Sequence, residues 1–319
     1  MAILITGAAG FIGSNLVKHF LNENRKVIAI DNLSLGKIEN LVSVENNFNF
    51  AFHKIDLSDY DNLKYKFDEI LNLNTIEEVW HLAANSDIPA GVSNIDIDYL
   101  NTFQTTFNLL KCMKFHNIKI LYFASTSAIY GDLGDQNLVE DIGPLFPISN
   151  YGAMKLSSEA IISASVESFL DRAYIFRFPN VIGTPATHGV IFDFINKLKI
   201  DNSRLEVLGN GTQQKTYLHV DELIDAMLYI SKISKDRINC FNIGNIDDGV
   251  TVKFIAESVV KSINPDAKIF FGEGNKGWVG DVPKFKYNIN KLISLGWKPK
   301  LNSSQSIELA ISQIIGKGL

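Results

Sequence analysis

Tyr151 and Lys155 stand four residues apart in the run Tyr151-Gly152-Ala153-Met154-Lys155. On a helix that spacing puts a phenol and an ammonium on one face. A free tyrosine titrates near pH 10, about three units too high for a base at neutral pH, and lowering it that far takes roughly 4 kcal/mol of preferential phenolate stabilisation. A neighbouring cation has the right sign to supply it. The pair is therefore a candidate general base for a hydroxyl proton. An apolar segment ending in Ala124-Ser125-Thr126-Ser127 precedes it. Tyr and Lys at this spacing also occur on ordinary solvated helix faces, so the surrounding elements have to decide between the two readings.

Those elements begin at the first residue. Residues 2–6 are an apolar run, followed at once by Gly7-Ala8-Ala9-Gly10-Phe11-Ile12-Gly13 and an amphipathic stretch to about Asn24. A short buried strand, a glycine turn and a helix start leave backbone N–H groups pointing at one spot, and the helix dipole favours a pyrophosphate there. Gly7, Gly10, Phe11, Ile12 and Gly13 are the candidate cradle. A second apolar run, 27–30, ends in Asp31. That places a carboxylate where it can accept from adenosine ribose hydroxyls, and it repels a 2′-phosphate. No Arg follows it directly, and Lys37 lies beyond the turn. The expected cofactor is NAD, whose positive nicotinamide ring adds a second cation beside Tyr151.

Composition narrows the class. The chain has 319 residues, 46% hydrophobic and 20% charged, which is enough for one large or two modest cores. A formal net charge of −5 with no visible basic face argues against a nucleic-acid partner. Cys112 and Cys240 sit in apolar segments without metal-like spacing and read as reduced core residues. His19, His53 and His116 are scattered, and His81 reads as structural, so no metal is expected. A nucleotide loop starting at residue 7 leaves no room for a leader, and no apolar run reaches membrane-spanning length. A cytoplasmic protein with no membrane partner is expected.

Further strand-like runs follow at 48–55, 78–84, 120–124 and 173–178, with amphipathic stretches near 59–71, 95–116 and 150–170. Strands separated by helical lengths imply right-handed crossovers and a doubly wound, parallel α/β sheet of Rossmann type. Past Asn180 the pattern loosens into turns such as Gly209-Asn210-Gly211, with Pro283 and Pro299 between short elements. The expected division is a dinucleotide-binding domain at 1–180, completed by 217–245, and a smaller α/β substrate-binding lobe at 181–319.

Read together, GAAGFIG, DNLS (31–34), HLAA (81–84), STSAIYG (125–131) and YGAMK (151–155) resemble an extended short-chain dehydrogenase/reductase. The closest subgroup is the nucleotide-sugar epimerases and dehydratases, with UDP-glucose 4-epimerase as the familiar member. FPNVIG (178–183), LGNGTQQKTYLHV (208–220) and LGWKP (295–299) extend the resemblance over essentially the whole chain. It implies that Thr126 hydrogen-bonds the reacting sugar oxygen, Tyr151 is the base, and Lys155 tunes it and holds the nicotinamide ribose. Asp31, Asn32 and Ser34 match the adenosine-ribose contacts, Asp56 and Leu57 the adenine edge, and Leu82, Ala83 and Ala84 the cofactor wall, with Phe178 also on that side. Asn180, Lys215 and Tyr217 match contacts to the substrate diphosphate side. His188 and Val190 open the second-lobe helix, where substrate is expected to pass. Relatives commonly dimerise through two helices per subunit; here those match 95–116, carrying Phe103, Phe107, Leu110 and Met113, and 150–170.

Departures bear on the reaction. Dehydratases of the group carry an Asp-Glu pair after the catalytic Thr, because eliminating water across carbons 5 and 6 needs an extra acid and base. Ser127 and Ala128 occupy those positions, which argues against 4,6-dehydration and against the decarboxylating relatives. Lys215 stands where many relatives carry Arg, a point charge in place of a bidentate fork. Trp278, with Lys276 two residues before it, stands where another Arg is usual, and Thr102 replaces a usual Asn. The expected substrate is a nucleotide-diphosphate sugar oxidised at carbon 4 by NAD. A 4-epimerase and a 4-dehydrogenase that releases a keto sugar, for instance a GDP-hexose or GDP-heptose for capsule or lipopolysaccharide polysaccharide synthesis, would use the same residues. A homodimer is expected.

Overall fold

A computed structural model of the chain describes residues 1–134, 136–186, 189–274 and 286–316. Seven strands form the main sheet: β1 (Ala2–Thr6), β2 (Lys26–Asp31), β3 (Phe50–Lys54), β4 (Ile76–His81), β5 (Ile120–Ala124), and the strands Arg172–Arg177 and Ile238–Asn242. Across the sheet they run Ile238–Asn242, Arg172–Arg177, β5, β4, β1, β2, β3. The pairings β1–β2, β2–β3, β1–β4, β4–β5 and β5 with Arg172–Arg177 are all parallel. The chain winds outward from β1 to β3, then returns to wind the other way from β4. The switch between β1 and β4 is where a sheet of this kind binds ligands beyond its strand ends. The doubly wound parallel sheet expected from the sequence is present.

Both sheet faces are buried, as parallel sheets require. On one face Leu4, Ile28, Val79, Leu121, Phe123, Ala173 and Ile175 pack with Leu63, Phe67 and Ile70 of helix α2 (Tyr60–Leu73). Leu109, Leu110 and Met113 of the helix Thr105–Phe115, with Ile162 and Val166 of the helix Asn150–Ser168, complete that core. On the other face the register places Trp80, Tyr122 and Tyr174 side by side on three strands. Their rings stack with centroids 4.0 Å and 4.5 Å apart, and Phe20 of helix α1 (Phe11–Asn22) meets Trp80 edge-on at 5.4 Å. Each such pair contributes about 0.5–1.5 kcal/mol beyond its buried area. The Tyr174 hydroxyl donates to the Ser234 carbonyl at 2.9 Å, so the ladder ends on a satisfied polar group.

The single helix expected over 95–116 is broken into Ile95–Asp98, a π-helical turn Tyr99–Gln104, and Thr105–Phe115. Thr105 and Thr106 turn their hydroxyls back onto the carbonyls of Asn101 and Thr102, a competition for backbone acceptors that widens helices. Leu110 and Met113 face the sheet core, contrary to the expectation that they lie outward with Phe103 and Phe107. Tyr99 takes their place on the outer face, where Tyr99 and Phe103, then Phe103 and Phe107, have ring centroids 6.3 Å apart.

The chain separates into two compact units, Met1–Gly131 with Pro144–Arg177 and Met227–Phe241, and Asp132–Gly143 with Phe178–Ala226 and Asn242–Leu319. The second unit packs the helices Val190–Ile200, Val252–Ile263 and Ser303–Gly316 around Leu205, Val207 and Tyr217. Short strand pairs frame it, among them Asn180–Ile182 with Tyr217–His219 and Gln214–Lys215 with Val250–Thr251. Residues 137–138 pair with 286–287, and Glu140 accepts from the Asn242 N–H, which ties 132–143 to this unit. No helix among the described residues is long and apolar enough to cross a membrane.

Candidate active site

The turn between β1 and α1 is built for close approach. Gly7 has φ +66°, and a Cβ there would sit 2.7 Å from the Ala83 nitrogen. A Cβ on Gly13 would sit 2.1 Å from the Gly7 carbonyl oxygen. Gly10 caps α1 without a side-chain bond, and Ser14 is the first residue to close the helical ladder, onto Gly10. The N–H groups of Phe11, Ile12 and Gly13 therefore lack helical acceptors and face the loop, at the positive end of the dipole. No acidic residue lies in that first turn. A dinucleotide pyrophosphate fits this cradle.

Asp31, at the end of β2, is buried and fixed at both oxygens. Oδ2 accepts from the Ala9 N–H at 2.9 Å and Oδ1 from the Leu33 N–H at 2.8 Å. Burial raises its carboxyl above the ordinary range, opposed by those two bonds. Asn32 donates to Asp56 at 3.2 Å and accepts from the Ser34 N–H at 3.0 Å, which joins the ends of β2 and β3. Burial would raise Asp56 too, but bonds from the Ser58 hydroxyl and N–H and from Asn32 hold it low. Leu57 is buried in the adjoining core. Leu82, Ala83 and Ala84 follow β4; the Leu82 N–H donates to the Thr6 carbonyl and the Ala83 N–H to the Thr6 hydroxyl. The sequence-derived cofactor residues of the first unit thus line the ends of β1, β2, β3 and β4. Phe178, half-buried, opens the second unit.

Beneath the loop, His81 is fully buried between two hydroxyls. Nδ1 lies 2.7 Å from Thr6 Oγ1 and Nε2 lies 2.9 Å from Thr106 Oγ1. Because Thr106 gives its proton to the Thr102 carbonyl, Nε2 must be the donor and Nδ1 the acceptor. Burial, with the Lys155 charge adding to it, lowers the imidazole to about 3. It is a neutral structural strut.

Thr126, Tyr151 and Lys155, the candidate catalytic residues, lie beyond and beneath the end of β5. Ser149 caps the helix Asn150–Ser168 by accepting from the Gly152 N–H, and a Cβ on Gly152 would lie 2.5 Å from the Ala128 carbonyl oxygen. The helix therefore runs close over the turn Ser127–Tyr130, whose cap is Thr126. This brings the Thr126 hydroxyl near Tyr151, where it favours the phenolate. Lys155 is 2% exposed; its Nζ donates to the Ala124 carbonyl at 2.6 Å and lies 4.6 Å from the Phe123 ring centroid and 5.9 Å from that of Tyr151. The expectation that Lys155 draws the phenol toward neutral pH is not met by the chain alone. Burial dominates both groups. It pushes Tyr151 up to about 12, opposed by the Thr126 hydroxyl and with a further rise from the Asp98 charge, and it lowers Lys155 to about 7, against the charge of Glu159. Further positive charge is needed before Tyr151 can act as a base.

Glu159 was missed in the sequence, although it lies one turn beyond Lys155. It takes the Ser125 hydroxyl on Oε1 and pairs with Arg177, Nη2 to Oε2 at 2.7 Å and Nε to Oε1 at 3.0 Å. Arg177 also donates to the Tyr130 hydroxyl at 3.0 Å. This buried network ties the helix to both sides of Thr126. Its signal in the sequence was the spacing Tyr151, Lys155, Glu159, three polar residues on one stripe of a helix that must pack on a sheet.

In the second unit, Asn180 donates to the Thr216 carbonyl at 3.2 Å, beside half-buried Lys215. Gln213 and Thr216 flank Lys215 and are buried, and each has a side-chain oxygen without a hydrogen-bond partner. Tyr217 was expected to face substrate; its ring is instead part of the core, because its strand pairs with Asn180–Ile182 under the helix Ser303–Gly316. Val190 opens its helix half-buried against that core. His188, Lys276 and Trp278 lie outside the described residues.

A profile of the NAD dependent epimerase/dehydratase family matches residues 3–244. A putative UDP-glucose 4-epimerase of Methanocaldococcus jannaschii is 29% identical, with 97% of each chain covered. The solved structure of a UDP-galactose 4-epimerase superposes with a TM-score of 0.85 at 30% identity, covering 100% of both chains. That of the Thermus thermophilus UDP-glucose 4-epimerase, a complex with NAD, superposes with a TM-score of 0.83 at 25% identity over 99% of both.

Proposed function

The chain belongs to the NAD dependent epimerase/dehydratase family and its cofactor is NAD, and from that premise we propose that it is a nucleotide-sugar 4-epimerase. Bound NAD supplies a hydride acceptor and, once reduced, a hydride donor. The chain's own residues do the proton work. Tyr151 takes the proton from the carbon-4 hydroxyl, Thr126 holds that oxygen in line, and Lys155 contributes positive charge beside the phenol. Once the keto sugar has turned in the pocket, Tyr151 returns the proton as hydride arrives on the other face. The observation that carries this reading is the close packing of the Tyr151 helix, at Gly152, on the turn capped by Thr126, where Ser127 and Ala128 offer no second acid or base. Lys215 and Asn180 are assigned to the sugar diphosphate. A UDP-hexose is the first substrate to try, since the relatives named above are UDP-sugar epimerases.

The test incubates purified protein with UDP- and GDP-sugars, follows carbon-4 configuration by NMR and monitors NADH absorbance. A carbon-4 epimer with no net NADH is expected; stoichiometric NADH without an epimer means a dehydrogenase instead. Tyr151→Phe is expected to lower turnover at least about a hundredfold. Undiminished turnover in that variant would remove the mechanism.

The assembly we propose is a homodimer, supported by the aromatic stripe of exposed Tyr99 and Phe107 with half-buried Phe103 between them. A monomer at micromolar concentration in sedimentation would sink it, and Phe107→Lys is expected to shift the equilibrium toward monomer.

A further inference from the structure

The Ala9 carbonyl, on the turn into α1, accepts two hydrogen bonds from a segment that follows β2. One comes from the Lys37 N–H at 3.1 Å and the other from the Asn40 side-chain amide at 2.8 Å. The Ala9 N–H is held as well, by Asp31 Oδ2 at 2.9 Å. The other end of the Ala9–Gly10 peptide, the Gly10 N–H, donates to the Gly7 carbonyl at 3.1 Å. The Gly10 carbonyl then takes the Ser14 N–H at 3.0 Å, the first bond of the α1 ladder. A run of hydrogen bonds thus leads from Asn40, through one peptide plane, to the start of the helix. The free N–H groups of Phe11, Ile12 and Gly13 lie between those fixed points, so the plane of the Ala9–Gly10 peptide sets where they aim.

Asn40 itself is half-buried and belongs to a short 3₁₀ helix, Ile38–Val44. Leu41 is the one buried residue among residues 32–44. Gly36 shows how closely this segment crosses the site: a Cβ there would lie 2.9 Å from both Asp31 carboxylate oxygens and 3.0 Å from the Ala9 carbonyl carbon. A segment with a single apolar anchor opens easily unless polar bonds hold it. Of the two bonds on the Ala9 carbonyl, only the one from Asn40 depends on a side chain.

We propose that Asn40 is a positioning residue for the cofactor: it fixes the Ala9–Gly10 peptide and, through it, the N–H groups that receive the pyrophosphate. The proposal rests on the reading of residues 7–13 as the pyrophosphate cradle. Asn40 is bonded to the loop and not to Asp31, so its loss is felt by the phosphates far more than by the adenosine.

The experiment titrates the full chain, freed of nucleotide, with NAD+, ADP and adenosine in a calorimeter. Asn40→Ala is expected to weaken NAD+ and ADP roughly five- to tenfold, the scale of one lost hydrogen bond, and adenosine less than about twofold. A merely structural role would weaken all three alike. The 31P resonances of bound NAD+ are expected to move in the variant, because the donors on the phosphates are re-aimed. Asn40→Leu keeps the side-chain volume and removes the donor; the same split is expected, which keeps the proposal testable if Asn40→Ala does not fold. NAD+ affinity within about twofold of wild type in the folded variants, adenosine weakened as much as NAD+, or unmoved 31P resonances would each overturn the proposal. Wild-type protein that binds ADP no better than adenosine would instead overturn the reading of the cradle, which separates the two failures.

Discussion

The buried polar groups around the nucleotide loop and those around Lys215 are treated in opposite ways. In the first, nearly every polar side chain around the site already has a partner: Asp31 holds two loop N–H groups, His81 spans Thr6 and Thr106, and Glu159 joins Ser125 to Arg177. In the second, Gln213 and Thr216, on either side of Lys215, are buried with side-chain oxygens that bond to nothing. Buried polar groups cost free energy when unpaired, so the bonds around the nucleotide loop are already made while those around Lys215 are completed by something that brings donors. A cofactor that stays bound through the cycle suits a preformed cradle. A substrate that comes and goes suits a segment with unpaired acceptors and a cation.

The largest expected effect tests whether the first unit depends on its network. Glu159→Ala leaves the Arg177 charge buried without its carboxylate, which should cost about 3–5 kcal/mol of stability. Urea titration of the variant measures it. Glu159→Gln, which retains hydrogen-bonding capacity, is expected to lose less stability and to show Lys155 losing its proton at lower pH, because the carboxylate that favours its charge is gone. A loss below 1 kcal/mol in Glu159→Ala would mean that the network is ornamental to folding.

Next comes the second unit. Lys215→Ala is expected to weaken nucleotide-sugar binding by about 1.5–3 kcal/mol, roughly ten- to a hundredfold, and to leave NAD binding intact. Calorimetry with each ligand separates the two. If NAD affinity falls as much as sugar affinity, the division of labour between the units is wrong. Lys276→Ala is the companion variant, since it could carry the same charge role.

The contrast also governs what could be read from the chain. The apolar run into Gly7, Gly10 and Gly13, the acid at Asp31, and Tyr151 with Lys155 were legible because each rests on local chemistry: a close backbone approach, a strand end, a helical spacing. β5 was located to the residue at 120–124, since a short apolar run bounded by polar residues leaves little freedom. What escaped depends on partners distant in sequence. Glu159 means little until Arg177, 18 residues on, comes beside it, and Asn40 means little until it meets Ala9, 31 residues before it. The break at 99–104 was hidden because hydrophobic spacing runs on through a π turn, while the cause is hydroxyls bonding back to the main chain. Tyr217 was misjudged for the same reason: only its pairing with Asn180–Ile182 decides which way a strand residue faces.

The smallest effect concerns the strut under the phosphate loop. His81 titrates at about 3 in the folded chain, against 6.5 when free. Its folded value is depressed, so below pH 6.5 the unfolded chain takes up a proton that the native state refuses. The stability it contributes is fully present above that pH and is lost as pH falls toward 3, at up to about 1.4 kcal/mol per unit. A residue that cannot titrate removes that slope. Thermal unfolding at pH 7 and pH 5 should therefore show a larger drop in Tm for the wild type than for His81→Asn, even though the variant starts lower for want of a good bridge between Thr6 and Thr106. Other carboxylates and histidines titrate in both proteins and cancel in the difference. Equal drops would mean that His81 is reached by water and protons in the native state, and the loop above it would then be less rigid than the bonds at 2.7 Å and 2.9 Å imply.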